Sequence, residues 1–291
     1  MGAYVNYQGV VDLCRRPTTF SPTKQIRFSR LSGRMAAKIC ADSSCRIIQI
    51  DEYVPTQKLR YVDEIFQRRP DVAFRIYLFI EENMICDLGF LEKLPHVRRL
   101  MVDCLGGVEN KEALFALPLE SLYLELYDEK DFSFIRELQP TLKSFALSDT
   151  RASRKFDCRW LLKFEELEEL SLRREKRNLE CVSELPKLRK LSMRGVKPAS
   201  WDFVNDSNIS ELSVNWCGTS DLSALAGNER LEKLSLWRLG KLQSLDFIPT
   251  LKNLRSLTLS ALPKSLDLPD FGALENLEEL YIDGRAVPCR R

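Results

Sequence analysis

Nine segments of this chain share one apolar spacing and follow one another at a nearly fixed interval. Each has an apolar residue, a second one three positions on, and a third two positions after that. The first four are Val97-x-x-Leu100-x-Val102, Leu119-x-x-Leu122-x-Leu124, Leu142-x-x-Phe145-x-Leu147 and Leu167-x-x-Leu170-x-Leu172. The other five are Leu188-x-x-Leu191-x-Met193, Ile209-x-x-Leu212-x-Val214, Leu231-x-x-Leu234-x-Leu236, Leu254-x-x-Leu257-x-Leu259 and Leu277-x-x-Leu280-x-Ile282. The second apolar position returns every 21–25 residues. A period of this size dictates a solenoid, because one unit buries its apolar face only by stacking on its neighbours.

The last two apolar positions of each unit alternate, which is strand periodicity, so the residues between them point the other way. Strands stacked at ~4.8 Å form a parallel sheet. Between strands, segments such as Leu88-x-Phe90-Leu91-x-x-Leu94, Phe132-x-Phe134-Ile135-x-x-Leu138 and Leu245-x-Phe247-Ile248-x-x-Leu251 place apolar residues three apart. That spacing suits a short α or 3-10 turn returning along the other side. Crossovers of this kind are right-handed. The expected fold is therefore α/β, a right-handed solenoid with a parallel concave β-sheet and short α/3-10 turns on the convex side. Trp160 and Trp201 fall in apolar slots of the returning half, which predicts core positions.

The unit resembles the leucine-rich-repeat superfamily, whose pattern is L-x-x-L-x-L-x-x-N/C-x-L. Its length is similar to the short class, as in bacterial internalin-type and phosphatase-regulator-type repeats. The resemblance covers residues 88–283 and implies a non-catalytic scaffold that holds another protein. One position departs from it. Where the family has Asn, this chain has Leu105, Tyr127, Thr150, Glu175, Val196, Cys217, Leu239, Leu262 and Arg285, and only Cys217 fits. Backbone groups that Asn satisfies must find other partners, which predicts less regular coils.

Residues 1–83 read as an N-terminal cap with degenerate repeats, and residues 84–291 as the regular array. Thr23-x-x-Ile26-x-Phe28, Cys45-x-x-Ile48-x-Ile50 and Ala73-x-x-Ile76-x-Leu78 align as three degenerate coils, with Tyr4–Val11 a capping strand. Within Gln57–Arg69, Leu59, Val62, Ile65 and Phe66 share one helical face. After the last strand only Gly284–Arg291 follow, so charge on Glu279, Asp283, Arg285, Arg290 and Arg291 is expected to protect an open edge.

Composition narrows the function. The 291 residues carry 44 Lys/Arg against 42 Asp/Glu, a balance that argues against a sequence-nonspecific nucleic-acid binder. Nine cysteines, odd in number and irregularly spaced, point to free thiols in a reducing compartment and so to the cytoplasm. Met1–Val11 lacks a signal-peptide pattern, and the most apolar stretch, Val72–Ile80, contains Arg75 and is far short of the ~20 residues that span a bilayer. The single histidine, His96, excludes a multi-His metal site. No nucleophile elbow or phosphate-binding glycine motif occurs. The expectation is no catalytic residue, no metal and no cofactor. The acidic pairs Glu165-Glu166 and Glu168-Glu169 read as a solvated face.

What remains is a binding surface made by residues between and just after the leucines. The central column is small, with Ser171, Ser192, Ser213, Ser235 and Thr258 in successive units. Beside it, Arg173, Arg174, Arg194, Asn215, Trp216, Trp237 and Arg238 fall along one edge. Trp and Arg are the residue types most enriched in interface hot spots, so this edge is the first partner-binding candidate. Tyr77, Met101, Asp103, Tyr123 and Glu125 form a secondary candidate surface, acidic and aromatic. The implied partner is another protein offering an acidic and apolar strip, held by a monomer, with no nucleic acid or membrane involved. The alternatives are self-association through the open C-terminal edge, and an adaptor or enzyme with its activity in the N-terminal segment.

Overall fold

The structure, a computed structural model, describes residues 8–17, 23–78, 85–148, 156–174 and 176–289. The chain divides into two compact units, Met1–Ala152 and Ser153–Arg291. The division expected at 83/84 lies outside the described residues.

Strands, numbered in chain order, are β1 Val10–Cys14, β2 Lys24–Arg27, β3 Ile47–Ile50, β4 Ala73–Leu78, β5 Cys86–Asp87, β6 Arg99–Cys104, β7 Val108–Glu109, β8 Ser121–Leu126 and β9 Ser144–Leu147 in the first unit. The second unit holds β10 Glu169–Arg173, β11 Lys190–Arg194, β12 Glu211–Asn215, β13 Lys233–Trp237, β14 Ser256–Ser260, β15 Glu279–Ile282 and β16 Arg285–Ala286. Consecutive strands from β10 to β15 pair in parallel, the sheet of the α/β solenoid that the repeat spacing predicts.

Register in the second unit follows the repeat without a slip. Leu170, Leu191, Leu212, Leu234, Leu257 and Leu280 pair in one column, and Ser171, Ser192, Ser213, Ser235, Thr258 and Tyr281 in the next. The leucines face inward, none more than 5% exposed, while the serines alternate outward and are half-buried. The returning halves are short, 3-10 turns at Leu179–Glu184, Ser223–Leu225 and Ile248–Thr250 and one α-helical turn at Asp202–Asn205. Seven of the returning segments across both units carry a cap that the repeat alignment did not single out, while Leu179–Glu184 and Lys111–Leu114 lack one. Asp87, Asp131, Asp157, Asp221 and Asp270 each accept a hydrogen bond from the N–H two residues on, at 2.7–3.0 Å. Ser200 and Ser244 do the same at 3.2 and 2.9 Å. The side-chain oxygen satisfies an amide that the short helix leaves without a partner.

The missing turn Asn is replaced by backbone. The residue just after the strand is left-handed in successive coils: Arg174 (φ 57°), Gly195 (65°), Trp216 (53°), Arg238 (54°) and Ala261 (51°). In this conformation the N–H groups of Arg174, Gly195, Trp216 and Arg238 reach the carbonyls of Arg194, Asn215, Trp237 and Ser260 in the next coil, at 2.8–3.0 Å. The Ala261 N–H reaches the Asp283 carboxylate at 2.8 Å. The inter-coil ladder thus runs one bond past the strand, and the less regular coils expected from the lost Asn are not found in this unit. Cys217, the one residue fitting the family position, is buried and lies 3.4 Å from the Asn215 carbonyl and 3.8 Å from that of Met193.

The C-terminal edge differs from expectation. β16 pairs antiparallel with β15 through Ile282↔Arg285, joined by Asp283 and Gly284, both at positive φ. An Asp-Gly pair makes the two-residue hairpin turn whose twist suits flanking strands. A short strand, not charge alone, therefore covers the edge. Arg290 and Arg291 lie outside the described residues.

In the first unit the strand order is β9-β8-β6-β4-β3-β1-β2. The expected capping strand Tyr4–Val11 lies in part outside the described residues; the first described strand is Val10–Cys14, inside the sheet, parallel to β2 on one side and β3 on the other. All five of its residues are buried, which suits an interior strand; β2, reading Lys-Gln-Ile-Arg with one buried residue, suits the edge. Register also corrects the alignment. Ile48 pairs with Phe74 and Phe74 with Leu100, so the column passes through Phe74, not Ile76, at two equal intervals of 26 residues. A shift of two keeps every side chain on its face, whereas a shift of one inverts them. Two α-helices connect strands here, α1 Gly33–Ala41 between β2 and β3 and α2 Leu59–Arg68 between β3 and β4, and α2 buries Leu59, Val62, Ile65 and Phe66 as its pattern predicts.

Seven of the nine cysteines are buried and all are free thiols. Trp201 is core, its indole N–H donating to Thr219 Oγ1 at 3.1 Å. Trp160 is only half-buried and packs edge-on against Phe156.

Leu212→Ala or Leu234→Ala is expected to cost about 2–5 kcal/mol in denaturant unfolding. Ser213→Ala or Ser235→Ala should cost about 0.5 kcal/mol or less. At the left-handed column the signs should oppose. Ala261→Gly should stabilise by roughly 0.5–1 kcal/mol, and Gly195→Ala, whose added Cβ meets nothing closer than 4.0 Å, should destabilise by a similar amount through its φ alone.

Candidate functional site

Parallel topology puts everything that follows a strand on one rim of the sheet and everything that precedes a strand on the other. The two rims of the second unit carry different chemistry. Before the strands, segments 165–169, 186–190, 207–211, 229–233, 252–256 and 275–279 hold ten acidic and seven basic residues. These pair from coil to coil: Glu166–Lys187 at 2.6 Å, Glu168–Arg189 at 3.2 Å, Glu169–Lys190 at 3.5 Å and Glu211–Lys233 at 2.8 Å. Asn208, Asn253 and Asn276 donate from the same rim to the carbonyls of Pro186, Glu229 and Lys252. A hollow of about 650 Å3 lies here, but its lining is largely committed to these internal partners. The acidic pairs do lie on a solvated face, and there Glu166, Glu168 and Glu169 join this lattice.

After the strands the cross-paired acids give way to cations and rings. Arg173, Arg194, Asn215 and Trp237 pair in one column, as the repeat predicts, with Arg174, Trp216 and Arg238 following them. Trp216 and Trp237 meet edge to face, with ring centroids 5.7 Å apart. The Arg194 guanidinium lies 5.1 Å from the Trp216 ring and 5.9 Å from the Trp237 ring. That of Arg238 lies 4.6 and 5.3 Å from them. Four side chains from three coils thus form one cluster of alternating rings and cations. Asn215 turns away from it, its amide donating to Ser213 Oγ at 2.9 Å.

Trp216 is 44% exposed, and its left-handed backbone is a conformation that costs a bulky residue on the order of 1 kcal/mol or more. The preceding coil has glycine at this slot and makes the same backbone bond, so the bond itself does not call for an indole; its ring contacts are with Trp237 and the two guanidiniums.

Next to the cluster in chain order, Lys197 and Lys241 line a second hollow, of about 430 Å3, together with Trp201, Thr219, Ser220 and Asp221. The repeat alignment missed it, because its residues lie beyond the strands, where loop lengths vary. Its carboxylate is taken: Asp221 accepts from the Ser223 N–H at 2.7 Å and from its hydroxyl at 2.9 Å, which hold its pKa below the ordinary range.

The second candidate surface, in the first unit, is more closed. Asp103 is buried, 3% exposed, and bonds Arg75 Nε at 2.7 Å. Arg75 also donates to Gln49 at 3.1 Å, and its guanidinium lies 4.5 Å from the Tyr77 ring. Tyr77 pairs with Asp103, not Met101. Tyr123 donates to Glu125 at 2.6 Å. Burial pushes the Asp103 carboxyl up, and the Arg75 hydrogen bond opposes it. Asp103 is therefore a structural carboxylate, while Tyr77, Met101, Tyr123 and Glu125 stay half-buried. His96 is pinned by Asp63, which accepts from its backbone N–H at 3.1 Å and sits 2.7 Å from its Nδ1.

On this face in the first unit Asp12 is buried, and one carboxylate oxygen has no partner. Burial first, then the Asp51 charge, push its pKa up to about 6, against a hydrogen bond from Gln25.

No group of His, Cys, Asp and Glu suited to hold a metal occurs among the described residues. None of their helices is long and apolar enough to cross a membrane.

No protein-family model matches the chain, and no curated protein matches it either. Solved structures do. An internalin (inlF) from Listeria monocytogenes aligns with a TM-score of 0.51 at 17% identity, covering 84% of this chain and 77% of that one. The chain has the leucine-rich-repeat fold. Leucine-rich-repeat neighbours with lower scores include an internalin C2 (inlC2) from the same species, at TM-score 0.44 and 15% identity over 87% of this chain and 92% of that one. A chain of the mouse RP105/MD-1 complex aligns at TM-score 0.46 and 15% identity, over 82% of this chain and 47% of that one.

For this leucine-rich-repeat chain, Asp12 gives a signed pH prediction. An acid whose folded pKa lies above its unfolded value (~3.9) weakens the fold above about pH 6, and that loss is recovered as pH falls from 6 toward 4. Asp12→Asn should raise the melting temperature at pH 7.5. It should also remove this recovery from a stability profile measured between pH 7.5 and 4.

Proposed function

We propose that this protein is a non-catalytic scaffold that engages a partner protein through the Arg/Trp rim and adjoining concave face of its second unit, and regulates or blocks that partner by holding it. The leucine-rich-repeat fold supports a protein-interaction scaffold in general. The observation that carries the finer reading is Trp216, an exposed indole at a backbone position that disfavours it, stacked with Trp237 between two guanidiniums. Retained strain marks sites where the side chain does something other than stabilise the fold. Trp offers a large desolvated area at low entropic cost, and Arg offers planar paired donors for carboxylates. An acidic strip with an apolar anchor is the complement.

The proposed state is a monomer in the cytoplasm, acting without nucleic acid, membrane, metal or cofactor. Free thiols, seven of them buried, fit a reducing compartment. Self-association through the C-terminal edge has less support, because β16 occupies that edge with two exposed residues. The Tyr77/Tyr123/Glu125 surface is second, since Asp103 at its centre is committed to Arg75.

The test is affinity capture from the source cell with full-length protein and a Trp216→Ala/Trp237→Ala variant. The partner recovered with wild type should be lost or weakened by ~2 kcal/mol or more in the variant. The melting temperature should change little, because neither side chain fills the core. Undiminished capture together with a fall in melting temperature would make the cluster structural and move the site to the first unit.

A further inference from the structure

The post-strand rim of the second unit continues well beyond the Trp cluster. Its segments 173–177, 194–197, 215–218, 237–241 and 260–264 hold nine Lys/Arg and a single acidic residue, Glu175. The facing rim of the same sheet is cross-paired and holds ten acidic residues against seven basic ones. A chain of net charge +2 has thus gathered its surplus cations on one rim. Some of these have internal duties: Arg177 faces Asp157 at 3.9 Å, and Lys176 donates to the Arg173 carbonyl. Lys197, Lys241 and Lys264 are exposed, and among the described residues no carboxylate stands within 4.0 Å of them. Two of the three line the hollow of about 430 Å3, whose Asp221 is already bonded to Ser223.

From this asymmetry we infer that the rim is an anion-binding track for an extended, multiply acidic segment of the partner, with the Lys197/Lys241 hollow receiving one of its carboxylates. The inference rests on the protein-binding reading above and names the chemistry of the segment. Five coils at ~4.8 Å span roughly 19 Å, the length of about six residues of extended peptide. A segment of that length sets its apolar side chains on Trp216 and Trp237 and its carboxylates against cations on either side. Like-charged cations held close together repel one another, and an acidic ligand relieves that repulsion; the paired lattice on the other rim offers no such gain. The track therefore fixes on which side of the sheet the partner lies.

The experiment uses the full chain and a labelled six-residue peptide in which four glutamates flank a central leucine pair. The same peptide with glutamine for glutamate and a six-nucleotide oligouridylate serve as comparators. Fluorescence anisotropy is read at about 50 and about 300 mM salt. The glutamate peptide should bind at least about tenfold tighter than the glutamine peptide at low salt, and the advantage should shrink at high salt. Lys197→Gln/Lys241→Gln should remove most of that advantage and leave the glutamine peptide unchanged. Arg189→Gln/Lys233→Gln, on the paired rim, should change either peptide by less than about twofold. Equal binding of the two peptides, both weakened by Trp216→Ala/Trp237→Ala, overturns the anionic track and leaves the protein-binding reading standing. So does the absence of peptide binding tighter than ~1 mM while a partner is still captured through the tryptophans. Tighter binding of the oligouridylate than of either peptide overturns both.

Discussion

The structure depends on one constraint, that each coil must present its apolar column in register with the next. Leu191 is buried because Leu170 and Leu212 stand on either side of it, and the same holds along the column. Stacked hydrogen bonds between strands fix the spacing, and in the second unit the left-handed residue after each of β10 to β13 extends them by one. Once this register is set, the outward column and both rims follow without further choice. Residues 21 or 22 positions apart in sequence, from Arg173 through Arg194 and Asn215 to Trp237, become lateral neighbours. A binding surface on such a frame is read across the chain rather than along it.

The left-handed column shows how a lost side-chain function is taken over by backbone. The family's turn Asn supplies hydrogen bonds from a side chain; here the peptide groups supply them directly, in a conformation that only glycine adopts without cost. Gly195 meets that condition, while Arg174, Trp216, Arg238 and Ala261 do not. Ala261 has no extended side chain to gain from its place. Arg174, Trp216 and Arg238 project theirs from the rim, and there the backbone cost coincides with the densest grouping of ring and guanidinium faces on this unit.

The repeat spacing alone was enough to read the α/β solenoid, the inward leucines and the Arg173–Trp237 column, because in the regular coils a period of 21–23 residues leaves one register that buries every leucine. The N-terminal coils were misread by two positions. Phe74, Ile76 and Leu78 are all apolar and fall on one face, so the pattern fits two alignments, and pairing decides for Phe74. The placement of β1 between β2 and β3 was not legible either, since strand order is set by tertiary burial of its five residues. The Asp/Ser caps had a readable signal, a short polar residue one position before the apolar start of each returning turn. The Lys197/Lys241 hollow had a weaker one, a surplus of cations after the strands, visible only when the loops are summed rim by rim.

The paired rim bears on how the chain finds its fold. Identical leucine columns do not distinguish a neighbouring coil from the one after it, so an array of this kind is open to skipping a coil as it assembles. The first strand position breaks that degeneracy. It reads Glu169, Lys190, Glu211 and Lys233, with opposite charges adjacent in the native order. A coil laid down one place out of turn sets Glu169 beside Glu211, or Lys190 beside Lys233, and the growing array meets repulsion where it should find attraction. Pairs at the surface that add little to final stability can in this way act as a proofreading code for the order in which the coils stack.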